Sequence, residues 1–280
     1  MNGIDIIDIK EKNIKGAYVI DGFPSVGLVG SIVANYLVSF LNLEQIAVVD
    51  SVYFPSISLV RDGVPLSPVR VYGGSLGTKG QEKVVVFISE FQPAQDILKP
   101  LAITMMDWVE DHKCKMVISP EGLLSKEDSE RMEAYAKSVA AEKEVAEYAV
   151  TNSNGKAPGE GVTVLGVGST PAARQTMKQI DVKTFENGVV AGFAGVLLNE
   201  GVARDFDVMT LLAEAHAEYP DARAAAAIMT VIDRMLLHVE LDLKPLLEEA
   251  ALIEDTLKQI QKRANTDEDT SKRKSSYMYG

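Results

Sequence analysis

Ser169, Thr170 and Arg174 sit in the run Gly166-Val167-Gly168-Ser169-Thr170-Pro171-Ala172-Ala173-Arg174, with two hydroxyls at an expected helix start and a guanidinium one turn further on. Free backbone N–H groups at a helix start, beside such side chains, are the parts of an anion site. The competing and favoured reading is ordinary capping, with Thr170 as N-cap and Pro171 at the first helical position. Glu121, Glu160, Asp205 and Asp207 fall near expected strand or helix ends, where paired carboxylates can do acid–base work. Among 40 acids, however, no spacing singles out a pair. His216, just past an expected strand, is placed for a general base and reads more simply as a hydrogen-bonded structural residue. Gly22-Phe23-Pro24-Ser25-Val26-Gly27-Leu28-Val29-Gly30 follows a strand and opens a helix, as a phosphate-cradling loop does. It has neither the dinucleotide G-x-G-x-x-G spacing nor a Gly-Lys-Ser/Thr ending. Its glycines are read instead as permitting a tight turn and close packing of helix on sheet.

Met278-Tyr279-Gly280 offers recognition in place of catalysis: a hydrophobic residue, a penultimate tyrosine and a terminal carboxylate. A Tyr ring is a rigid apolar body with a polar tip and loses little entropy when immobilised. A C-terminal carboxylate can be caught by a lysine or a backbone nest, so chain position becomes part of what is recognised.

Composition narrows the partners. The chain has 280 residues, 46% of them hydrophobic, and a formal charge of −12. That length and apolar content can bury a large core. The acidic surface argues against nonspecific binding to nucleic acid or to anionic membranes. A single Cys114 excludes an intrachain disulfide, and the three histidines, His112, His216 and His238, show no metal-ligand spacing. No cofactor is implied. The first residues contain acids and no long apolar run, so no signal peptide is read there, and no apolar stretch reaches the roughly 18 residues of a membrane span. The expected location is the cytoplasm.

The elements that must position these residues alternate. Strands are expected at Gly16 to Asp21, Ile46 to Tyr53, Val84 to Ile88, Lys115 to Ser119, Val145 to Thr151, Val162 to Gly168 and Val208 to Ala213. Val84-Val85-Val86-Phe87-Ile88 has no polar face, as a central strand covered on both sides requires. Helices are expected after Ser25 to about Leu41, at Gln95 to Asp111, from Ser125 to about Glu142, after Pro171, at Gly192 to Val202, and from Asp221 to about His238. Between Ser56 and Gly80 a hairpin-like excursion is expected, with Val69-Arg70-Val71-Tyr72 alternating sides. This pattern predicts a three-layer α/β/α domain, mostly parallel with antiparallel excursions. Residues 1–240 form that domain. Residues 241–264 carry one amphipathic helix, with Leu243, Leu246, Leu247, Ala250, Ile253, Leu257 and Ile260 at helical spacing. Its stripe either covers the α/β body or meets a copy of itself. Residues 265–280 have no apolar periodicity and read as a flexible tail.

Several segments together resemble the archaeal branch of the PAC2 family, the proteasome assembly chaperone homologues. They are Gly22 to Ser31, Gly166 to Thr170, Gly192-Phe193-Ala194-Gly195-Val196-Leu197-Leu198-Asn199-Glu200-Gly201, and Tyr219-Pro220-Asp221-Ala222-Arg223-Ala224-Ala225. The resemblance implies a phosphorylase-like α/β/α fold without known catalysis, self-association into a homo-oligomer, and binding to 20S proteasome α-subunits, with a second PAC2-family protein as a further candidate partner. Some members carry a hydrophobic-Tyr-X tail and act as ATP-independent activators; Met278, Tyr279 and Gly280 match that tail. The alternatives are a small-molecule enzyme or nucleotide-binding protein using Ser169, Thr170 and Arg174 as an anion site, and a purely structural oligomer.

Overall fold

The computed structural model describes residues 3–76, 82–124, 161–217, 219–238 and 241–246. In chain order the elements are β1 (Ile4–Asp8), β2 (Tyr18–Gly22), α1 (Val29–Phe40), β3 (Glu44–Ser51), β4 (Leu59–Arg61), β5 (Val64–Leu66), β6 (Val69–Leu76), β7 (Glu82–Ser89), α2 (Leu98–Asp111) and β8 (Met116–Leu124). After them come β9 (Val164–Gly168), α3 (Pro171–Gln179), β10 (Lys183–Thr184), α4 (Gly192–Arg204), β11 (Val208–Ala215) and α5 (Ala222–Ile232), which runs on into a π-helical turn at Asp233–Leu237.

Nine of these strands form one sheet in the order β1-β3-β6-β7-β2-β8-β11-β9-β10. The centre, β7-β2-β8-β11, is parallel throughout. Antiparallel strands flank it: β6, β3 and β1 on one side, and β9 against β11 on the other. The parallel centre is the part that must be covered on both faces, because crossover connections bring helices to each side. Side-chain alternation along β7 shows how this is met. Val84, Val86 and Ile88 enter the core beneath α1, α3 and α5, while Val85 and Phe87 enter the core beneath α2 and α4. The α/β/α layering is therefore written into the period of two along each strand.

One sequence expectation changes. The excursion after Ser56 is confined to the separate β4–β5 hairpin, and from Val69 the chain is a full member of the main sheet, paired to β3 and β7. Val69-Arg70-Val71-Tyr72 alternates sides as expected, with Val69 and Val71 in one core and Tyr72 against the other, and the side of Arg70 is covered. Arg70 is completely buried, with Nη1 donating to the Ser67 carbonyl at 2.6 Å, Nε to the Tyr72 hydroxyl at 3.0 Å, and Nη2 to the Glu90 carboxylate. The N-terminal residues, read only for the lack of a leader, form edge strand β1, with Ile4 buried against the core.

The expected helix at Ser125, the strand at Val145 to Thr151 and most of residues 247–264 lie outside the described residues. The start of the amphipathic segment is described, and it packs on the body. Leu246 is fully buried in the α1/α5 core, Leu241 and Leu243 lie against that core, and the Tyr36 hydroxyl donates to the Asp242 carbonyl at 2.8 Å.

Candidate functional site

Asp21 is the last side chain before β2 turns. Its Oδ1 accepts from the Phe23 amide at 3.0 Å, an Asx turn that bends the chain sharply off the sheet. Gly22 makes that bend possible: a Cβ there would lie 2.3 Å from both the Ala34 Cβ and the Phe87 carbonyl oxygen. Gly27, at φ 61°, then lets the loop fold down beside Ala215 and His216 before α1 begins. The glycines thus serve close backbone approach, the favoured reading of this run. Gly22→Ala is expected to cost about 2–3 kcal/mol, seen as a lowered urea midpoint with unchanged slope. A midpoint equal to the parent's would contradict this packing.

β8, paired to β2 only as far as Ile118, continues beside β11 to Leu124 and passes under the same loop. At Gly122 a Cβ would stand 2.1 Å from the Val26 carbonyl oxygen, so only glycine allows the crossing. The crossing brings Glu121 to the loop: its Oε1 accepts from the Val26 amide at 3.3 Å and from the Gly122 amide at 3.1 Å. Two residues earlier on the same face, the Ser119 hydroxyl donates to Asp21 Oδ2 at 2.6 Å. Asp21 and Glu121 are therefore neighbours at the carboxyl ends of β2 and β8, beside a cleft of about 540 Å³ walled by Pro24, Leu124, Val190, Phe193 and Leu212. Ligand sites in open α/β sheets favour this end of the strands.

Burial pushes the Asp21 carboxyl up to about 6, against the opposing bonds from Ser119 and Phe23. Glu121 is pushed up to about 8, first by burial and then by the charge of Asp21, with its bonds to Val26, Gly122 and Ser25 working the other way. The two acids thus share one proton between them near neutrality. In the unfolded chain both would ionise near pH 4. The folded state therefore holds more protons than the unfolded state from that point up to the folded values, and stability falls as pH rises through this window. Melting temperatures recorded from about pH 5 to about pH 9 should decline, and Glu121→Gln should flatten the decline by removing the ionisation with the higher pKa. A parallel profile for the variant would count against the pair.

Glu121 was one of four carboxylates singled out by position. Asp21 closes an expected strand as well, but its partnership with Glu121 is invisible in residue order, because 100 residues separate the two and only the parallel pairing of β2 with β8 joins them. Asp207 is bonded to Thr170, Asp205 closes α4 in a left-handed conformation, and Glu160 lies outside the described residues. At the α3 start both hydroxyls and one guanidinium nitrogen are bonded within the protein. Thr170 Oγ1 accepts from the Ala173 amide at 3.0 Å and donates to the Asp207 carboxylate; Ser169 Oγ donates to the Phe206 carbonyl at 2.7 Å; Arg174 Nη1 donates to the Gly168 carbonyl at 2.8 Å. This is capping, the favoured reading, with the Asp207 carboxylate bonded to the capping hydroxyl. His216 stacks on Tyr219 at 4.8 Å, with Nε2 3.2 Å from Arg223 Nη2, a structural placement. Burial raises the Cys114 thiol to about 12, which keeps it from acting as a thiolate nucleophile. Among the described residues, no group of three or more His, Cys, Asp or Glu could hold a metal ion, and no helix is long and apolar enough to cross a membrane. Met278, Tyr279 and Gly280 lie outside the described residues.

A parallel-centred α/β/α sheet with glycine-dependent crossings at its carboxyl end defines the structural class. The chain belongs to the PAC2 family, whose model matches residues 19–261. It is similar to an uncharacterized protein of Methanocaldococcus jannaschii, 24% identical over 242 residues, covering 86% of this chain and 84% of that one. Among solved structures, it is similar to Pyrococcus furiosus PbaA, described as an archaeal homolog of proteasome-assembly chaperone, at 24% identity and a TM-score of 0.70, covering 95% of this chain and 99% of that one. It is also similar to Pyrococcus furiosus PbaB, described as an archaeal proteasome activator, at 21% identity and a TM-score of 0.68, covering 93% of this chain and 100% of that one.

Proposed function

We propose that this chain is a non-catalytic proteasome-interacting protein, an assembly-chaperone homologue or ATP-independent activator, that docks Met278, Tyr279 and Gly280 into pockets between the α-subunits of the 20S particle. The observation that carries the reading is the fold shared, over 95% and 93% of this chain, with proteins described as a proteasome-assembly chaperone homolog and a proteasome activator, joined with a hydrophobic-Tyr-X sequence at residues 278–280. At about 3.3–3.6 Å per extended residue, sixteen residues such as Asn265 to Gly280 would span on the order of 50 Å if extended, enough for the tip to enter a pocket while the body stays clear. A tripeptide buries too little surface to overcome the cost of association, so one tail binds weakly. Several tails on a homo-oligomer gain from effective concentration, which makes self-association part of the proposal.

The enzyme alternative placed an anion on Ser169, Thr170 and Arg174. It is weakened by the bonds that both hydroxyls and one guanidinium nitrogen make within the protein and by the Asp207 carboxylate bonded to Thr170. A pull-down of 20S particles with the intact and the tail-deleted protein, paired with a peptidase assay, tests the proposal. Capture with raised peptidase activity assigns an activator, capture without it an assembly factor, and equal capture by both proteins removes tail docking.

A further inference from the structure

The cleft at the strand ends discriminates among ligands by its lining. Leu124, Val190, Phe193 and Leu212 make apolar walls, Gln92 contributes a neutral amide, and Glu121 supplies the one ionisable side chain among the described lining residues. No Lys, Arg or His is among them. A volume of about 540 Å³ is of the size that takes small molecules. An anion would face the Glu121 carboxyl, with Asp21 near it and no counter-charge among the described lining residues. A purely apolar molecule would cover Glu121 and add no charged partner to its bonds with Val26, Gly122 and Ser25, so ionising the carboxyl there carries a desolvation cost. A molecule with a cationic donor at one end and an apolar body at the other meets both demands.

We propose that this cleft binds a small primary amine with an apolar body, its ammonium donating to the Glu121 carboxylate and its body lying against Phe193 and Leu212. Asp21, held by Ser119 and the Phe23 amide, stays in place near Glu121 and adds a second negative charge to the field at the ammonium. The two acids share a proton near neutrality, so an arriving ammonium ionises Glu121 and the displaced proton passes to solvent, with no covalent bond made or broken. This site lies on the folded body and does not depend on residues 278–280.

Isothermal titration calorimetry of the full chain at about pH 7 with phenethylamine tests this, with 2-phenylethanol as neutral comparator and 3-phenylpropionate as anionic one. The amine is expected to bind at least about tenfold more tightly than either comparator. Titrations in two buffers of different ionisation heat should show close to one proton released per amine bound. Glu121→Gln should lose about tenfold or more in amine affinity while keeping its circular dichroism spectrum. Ala191→Trp, on the exposed rim of the cleft, should block the amine without touching the carboxyl and keeps the test open if Glu121→Gln fails to fold. Equal binding of amine and alcohol, amine affinity unaffected by both variants, or no heat at about 10 mM amine would overturn the proposal. Deletion of residues 278–280 should leave amine binding unaltered, so failure of tail docking and failure of this site are told apart.

Discussion

Deleting residues 278–280, or replacing Tyr279 with Ala, is expected to abolish capture of 20S particles while leaving fold and oligomer unchanged. Truncating an aromatic anchor in a pocket typically costs 2 kcal/mol or more, about thirtyfold in affinity for a single contact. The loss is compounded when several identical tails engage one particle, because each weakened contact lowers the effective concentration available to the others. Co-sedimentation read beside size-exclusion elution and a thermal melt separates loss of docking from loss of assembly. A Tyr279→Ala protein that sediments with 20S particles as the parent does would end the docking mechanism. A variant that changes oligomeric state would show instead that the last residues serve self-association.

The second large effect concerns Arg70. Its guanidinium is completely excluded from solvent, and Glu90, which is 22% exposed, supplies the opposing charge. Burial works against the charged guanidinium, but its bonds to Glu90 and Tyr72 more than offset this and hold it charged. Glu90→Ala leaves that cation buried with only the Ser67 carbonyl and the Tyr72 hydroxyl. Breaking a buried pair from one side costs about 3–5 kcal/mol, and the two remaining acceptors place this case near the lower figure. The urea midpoint should fall accordingly, and the double variant Arg70→Met, Glu90→Ala should recover part of the loss, because no uncompensated charge is then left inside. A Glu90→Ala midpoint within error of the parent's would show that Arg70 is hydrated in solution.

Much of the body was legible from residue order. The all-apolar run at Val84 to Ile88 can only be a strand covered on both faces, and the core places it between two layers of helices. Thr170 before Pro171 and Asp221 before the alanine run were readable as helix starts because capping is a local contact: Thr170 accepts from Ala173, and Asp221 from Arg223 and Ala224. The extent of the antiparallel share was less legible. It makes up four of the eight pairings in the main sheet, and a strand's own side-chain period carries no record of its neighbour's direction.

The chain alone determined its layers, the helix starts at Thr170 and Asp221, its family and the Tyr-bearing tripeptide, since each rests on residues close together in sequence or on motifs read in order. Tertiary structure decided that Arg70 turns inward to meet Glu90, that Leu243 and Leu246 at the start of the amphipathic segment pack on their own body, and that Asp21 lies beside Glu121. Those outcomes depend on which strands lie side by side and how deeply each position is buried. Burial and the approach of distant charges set the protonation of an acid, and neither exists until the sheet has formed.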